Sequence, residues 1–434
     1  MKKGSFVILL LILTVFLCGC AAWTVDDMYM PPKRSEAYNN LQTVIDDTMV
    51  GLEFCAPLSG DHQQTIQMAD LDGDGAREYL LFAKGNADRP LRILIFKHED
   101  EKYVLADTIE HNGSAFEQIE YVQMDGIGGV EVVVGCQINE QVLRAVTVYT
   151  FTDGQAERLF SSGYTRFLEV DMDENGTGEL FVLRPGQTEA GNGIAELYSV
   201  SNGTVERSNE VSMSQPSDNL KRVISGHLYG GKTAVYAAST LGESEIVTDV
   251  YTVNDGRLTN VTFSNESGTS MHTIRNYYVY AEDIDNDGVV ELPDLISTLQ
   301  PDADKQDVIR WYAMKANGRE VDKLYTYHNF IGGWYLQIES KWAPSLMVWN
   351  TGNRYEFGLW NKAKGITEKI FTVYVLSGQN REESIRDDRF VLHKTDTVIY
   401  AAALEEYASL HGVTKESLTE SFHMIRQDWK TGET

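Results

Sequence analysis

The chain is poor in cysteine, in positive charge and in the short motifs that mark enzymes. Four cysteines occur in 434 residues. None are spaced as CxxC, which removes support for a thiolate zinc site or a thioredoxin-like redox pair. Lys and Arg number 37 against 64 Asp and Glu, giving a formal net charge of −27 and a pI near 4.7. Such a surface repels phosphate, so nucleic acid is excluded as a partner, as is electrostatic docking on anionic lipid. The same excess of carboxylates suits divalent cations. No GxSxG, HExxH, Walker A or GxGxxG motif is present. Ser270 and His272 lie close in sequence, but nothing nearby would orient them for catalysis. Apolar residues make up 42% of the chain, enough for a large core without disulfide staples.

The N-terminus predicts export. Met1-Lys2-Lys3 is basic, and Phe6 to Leu17 is almost wholly apolar, the length of a signal-peptide core and short for a membrane span. Leu17-Cys18-Gly19-Cys20 follows, with an apolar residue three before Cys20 and a small one just before it. This pattern resembles a bacterial lipobox. It makes residues 1–19 a lipoprotein signal peptide, Cys20 the acylated residue and residues 20–34 a lipidated tether. The alternative is an uncleaved anchor helix running on through Trp23. Of the remaining cysteines, Cys55 and Cys136 could form one disulfide in an exported protein or stay as buried thiols.

Residues 35–328 are expected to hold one amphipathic helix and then a repeat. Tyr38, Leu41, Ile45 and Met49 share a helical face across 35–49. Beyond it, short β-rich runs alternate with Gly, Asn and Asp clusters. Five of these clusters align, with shared glycines Gly75, Gly128, Gly176, Gly231 and Gly288. A period near fifty residues, with about four strands per unit, predicts a mainly β fold, a β-propeller of about five blades closed radially. The runs Phe116 to Val122 and Tyr277 to Ala281 are expected as strands preceding their loops. A pair of two-sheet sandwiches is the competing architecture. Residues 329–434 read as a separate small α+β domain, ending in a helix over 415–429 capped by Thr414. Its aromatics Trp334, Tyr335, Trp342, Trp349, Tyr355 and Trp360 suit either core packing or a stacking surface.

The aligned clusters carry the clearest chemistry. In the first, Asp70, Asp72 and Asp74 stand at loop positions 1, 3 and 5, Gly75 at 6 and Glu78 at 9. Alternate side chains converge while the glycine permits a sharp turn. An oxygen-only set of this size suits Ca²⁺ as a structural ion. The third loop offers Asp171, Asp173, Asn175 and Glu179, and the fifth Asp283, Asp285, Asp287 and Glu291. The second keeps Asp125 and Glu131 but has Ile127 at the central position, so no metal is expected there. The fourth, 226–234, has no acidic ligand.

With the acidic residue at position 9 and strands on both flanks, these loops resemble the FG-GAP or VCBS-type repeat. The whole chain is similar to uncharacterised repeat-bearing lipoproteins of Gram-positive bacteria related to clostridia. The resemblance implies structural Ca²⁺ and no assigned reaction. The expectation is a non-enzymatic, membrane-anchored extracytoplasmic scaffold for an unknown protein or glycan partner. The alternative is an envelope-tethered, glycosidase-like carbohydrate-active enzyme working at the propeller axis.

Overall fold

The computed structural model describes residues 36–138, 144–186, 191–201, 203–277, 279–298, 306–386 and 388–426. The expected signal peptide, Cys20 and the expected tether lie outside the described residues. The fold is mainly β. Six antiparallel sheets follow one another along the chain in a propeller-like succession. The first spans residues 53–111, the second 115–163, the third 166–212 and the fourth 220–260. The fifth begins at Glu291 and the sixth runs over 346–404.

Successive side chains on a strand point to opposite faces, so a strand between two neighbours must be apolar throughout. The run Val132-Val133-Val134 shows this. Val132 and Val134 pack with Leu80, Phe82 and Ile93 of the first sheet, whereas Val133 packs with Phe167 and Leu180 of the third. Leu180 and Val182 face back to the second sheet, and Phe181 and Leu183 face forward to Val235 and Tyr251 of the fourth. Tyr236 then meets Leu292 and Tyr312 of the fifth, and Trp334 of the fifth meets Phe357 and Phe371 of the sixth.

The expected radial closure is not made. Among the described residues no apolar cluster joins the sixth sheet to the first. The first sheet's outer face is already covered by a helix, α1 (Glu36–Thr48), whose Leu41 and Ile45 pack on Leu81, Ala83, Leu94 and Phe96. The far face of the sixth sheet, with Leu376, Ile399 and Ala401, is covered by Ile385. Both ends of the succession are therefore capped by their own chain.

Two further expectations need correction. The run 277–281 forms no strand among its described residues; the buried Arg275 guanidinium takes the Val279 carbonyl at 2.6 Å instead. What remains of a first strand is the bridge between Glu282 and Glu291. The C-terminal helix α2 (Lys415–Ser421) keeps its Thr414 cap but stops after seven residues. Phe422–Met424 instead pairs with Trp334–Ile338, and Phe422 stacks on Trp334 at 5.5 Å. Trp429 lies outside the described residues. The strand Trp334–Ile338 is also hydrogen-bonded to Glu320–Asn329, so the fifth sheet runs across the division expected at 328.

Trp334, Tyr335, Trp342 and Tyr355 are buried in apolar clusters, and Trp349 and Trp360 are half-buried. These aromatics are core. Cys55 and Cys136 are free thiols in one apolar cluster between the first two sheets.

Candidate metal centre

In the first sheet the loop joins Ile66–Ala69 to Glu78–Lys84, in the second and third it joins the first strand to the second, and in the fifth it follows Glu282. The turn is built by its carboxylates. The position 1 carboxylate accepts from the position 6 amide: Asp70 from Gly75 at 3.1 Å, Asp171 from Gly176 at 2.9 Å and Asp283 from Gly288 at 2.9 Å. Gly75, Gly176 and Gly288 all have φ between 85° and 90°, a conformation that only glycine adopts without strain.

Position 9 has a role that spacing did not reveal. Glu78, Glu131, Glu179 and Glu291 are buried, and each accepts the amide of position 2 across the loop. The donors are Leu71, Met124, Met172 and Ile284, at 2.8, 2.9, 2.8 and 3.2 Å. The second loop makes this bond although it lacks the central ligand, so the bond belongs to the fold rather than to a metal. Its sequence signal was legible: position 2 is Leu, Met, Met or Ile, and in each case buried.

Glu179 Oε1 and Glu291 Oε1 are buried and accept no hydrogen bond. In the first loop the ligand oxygens of Asp70, Asp72 and Glu78 lie within 4.8 Å of one another. The same holds for Asp171, Asp173 and Glu179, and for Asp283, Asp285 and Glu291. Asp74 and Asp287 stand outside these groups. With Asn175 they accept the amide two residues on, at 2.7 to 2.9 Å. Burial, then neighbouring carboxylates, raise the Glu78 and Glu131 carboxyls above the ordinary range, that of Glu179 to about 7 and that of Glu291 to about 8. A cation bound beside such a carboxyl favours its ionised form and releases the proton to solvent.

The loops differ in what neutralises them. Lys323, from the strand Glu320–Asn329, is mostly buried and reaches into the fifth loop. It bonds Asp287 and lies 3.6 Å from Asp285 and 3.8 Å from Glu291. Lys97 faces the first loop but is paired with Glu99 at 2.6 Å. Among the described residues no basic side chain pairs with the third loop. In the second, Gln123 at position 1 accepts from Gly126 and donates to Gly129, closing the turn with an amide in place of a carboxylate.

A backbone amide links each later loop to the one before it. The position 8 amides of Val130 and Gly178 donate to the position 1 carbonyls of Asp70 and Gln123, at 3.1 and 2.8 Å. Thr233 donates to the Glu174 carboxylate at 2.8 Å, and Val290 to the His227 carbonyl at 3.0 Å. The contact between the first two loops is close. A Cβ on Gly129 would fall 2.1 Å from the Leu71 carbonyl.

Ser270 is buried and donates to Asp249 at 2.6 Å within a hydroxyl network that includes Thr262 and Ser214; His272 is exposed. The pair is not assembled as nucleophile and base.

No family model matches the chain, and no curated protein matches it in sequence. Solved structures do. An exotype rhamnogalacturonan lyase, YesX, is 14% identical over 73% of this chain and 67% of its own, with a TM-score of 0.29. The Bacillus licheniformis rhamnogalacturonan lyase PL11 is 12% identical over 73% and 72%, with a TM-score of 0.29. TolB from Acinetobacter baumannii is 11% identical over 87% and 71%, with a TM-score of 0.24. At these scores the likenesses carry no argument about activity.

Proposed function

We propose that the chain is a non-enzymatic, extracytoplasmic scaffold whose Asp-rich loops are stiffened by Ca²⁺, anchored to a membrane through lipid on Cys20 and binding an unknown protein or glycan partner. The carrying observation is the buried position 9 carboxylate beside two aspartates in each of the three loops, with Glu179 Oε1 unpartnered in the third. The ligands would be Asp70, Asp72, Asp74 and Glu78 in the first loop, and Asp171, Asp173, Asn175 and Glu179 in the third. Asp283, Asp285, Asp287 and Glu291 would serve in the fifth, where the ion must displace Lys323. Oxygen donors alone, with flexible geometry, fit Ca²⁺ better than Mg²⁺. A cation that binds only the folded state stabilises it by mass action, about 2.7 kcal/mol per site at ~100 times its dissociation constant.

The test is a thermal melt of residues 21–434 with millimolar Ca²⁺ and with chelator, alongside elemental analysis. A higher melting temperature in calcium, with bound metal, supports the reading. Identical melts without bound calcium overturn it. The anchor is tested separately. Cys20→Ala should stop palmitate labelling, and labelling that persists sinks the lipid assignment.

A further inference from the structure

At the end of the first two sheets away from the Asp-rich loops lies a cavity of about 470 Å³. It opens beside the turn between Glu78–Lys84 and Leu91–Glu99, where His111 pairs with Leu91. On a chain of net charge −27 its charged lining is unusual. Arg89 and Arg158 face it, and neither guanidinium has an ion-pair partner among the described residues. The carboxylate on its wall, Glu110, is engaged by Arg92 at 3.3 Å.

The floor is polar and built. His111 is nine-tenths buried, its ring edge-on to Tyr149 at 5.3 Å, and its Nε2 has no hydrogen-bond partner. Burial and the two arginines push its pKa down to about 4, so the imidazole is neutral and offers both a donor and an acceptor. The Thr147 and Ser161 hydroxyls, 3.0 Å apart, add two more oxygens that can accept, with Ser161 itself donating to the Val146 carbonyl at 3.2 Å.

Planar guanidinium forks match carboxylate and phosphate oxygens. Hydroxyls and a neutral imidazole match sugar hydroxyls, and the volume lies in the range of small-molecule sites. We infer that this cavity binds a sugar of one or two rings bearing an oxyanion, carboxylate or phosphate, with Arg89 and Arg158 on the charged group and His111, Thr147 and Ser161 on the hydroxyls. The site is separate from the metal loops and does not depend on their occupancy.

Isothermal titration of the full chain in calcium with glucuronate, glucose 6-phosphate and glucose tests it. At least one anion should bind ~10-fold or more tighter than glucose, and which one it is names the group. Arg89→Gln and Arg158→Gln, both exposed positions, should each weaken that anion by ~10-fold, whereas the remote Arg319→Gln should not. Equal binding of glucose and the anions, no heat from any of the three, or affinity unmoved by both arginine variants would overturn the assignment. Unchanged melting of the two variants separates lost contacts from lost folding.

Discussion

The third and fifth loops carry the same ligand spacing, yet the protein treats their charge differently. Asp171, Asp173 and Glu179 face one another with no cationic side chain among the described residues. Asp283, Asp285 and Glu291 face Lys323. A converging set of carboxylates can be neutralised by an ion from outside or by an ammonium from the next strand but one. The nine-residue motif does not distinguish the two, because the lysine arrives through strand pairing some thirty residues away. The second loop is a further variant, in which Gln123 stands in place of the position 1 carboxylate and the Gly73–Gly128 contact packs the turn.

The largest effect is expected where a loop is held by contact rather than by charge. Gly129→Ala forces a methyl into the Leu71 backbone and should cost about 3 kcal/mol in urea unfolding, equally with and without calcium. A cost that vanished in calcium would mean that the second loop also depends on an ion. Next in size is calcium itself. Asp173→Ala should remove up to ~2.7 kcal/mol of the calcium-dependent stabilisation, and Asp125→Ala none of it.

Lys323→Met sharpens the contrast further. In chelator it should destabilise the chain, because the buried Glu291 and its neighbours lose their counter-charge. In calcium it should tighten the fifth site about tenfold, giving it the behaviour of the third. Titration calorimetry that found the fifth site unchanged would separate Lys323 from metal competition. The remaining effect is a slope. In chelator the folded chain keeps a proton on Glu179 up to about pH 7, whereas the unfolded chain releases it near 4.5. Folding then takes up a proton between those values, so stability falls as pH rises through that window. Calcium binds the ionised form and should flatten the fall; a series of melts from pH 4.5 to 7.5 checks both arms.

Much of this was legible in the residues. The five phased loops, the turn glycines and the cluster members at positions 1, 3 and 9 follow from spacing, because each role demands a particular side chain. The position 8 links were hidden for the opposite reason. Val130, Gly178, Thr233 and Val290 share nothing chemically, since the backbone amide makes the bond. The segment 277–281 was misread because its alternation is that of a strand, and nothing local says that Arg275 will take the Val279 carbonyl. Helix α2 was overextended because Phe422 fits a helical stripe as well as the edge of the fifth sheet, and only stacking on Trp334 decides. Radial closure was a default of the repeat, and α1 pre-empts it by covering the face that a last sheet would need.

The position 8 bonds also have a direction. Each donor belongs to the later loop and each acceptor to the earlier one, so a chain emerging N-terminus first always finds its acceptor already made. The first sheet, with α1 packed on it, can act as a template on which the second is laid, then the third. Assembly of this kind needs no distant segment before it can begin, which shortens the time that apolar strand faces spend exposed. Synthesis order and docking order coincide, so a truncation from the C-terminal end leaves every remaining link satisfied, while one from the N-terminal end orphans the next amide in line.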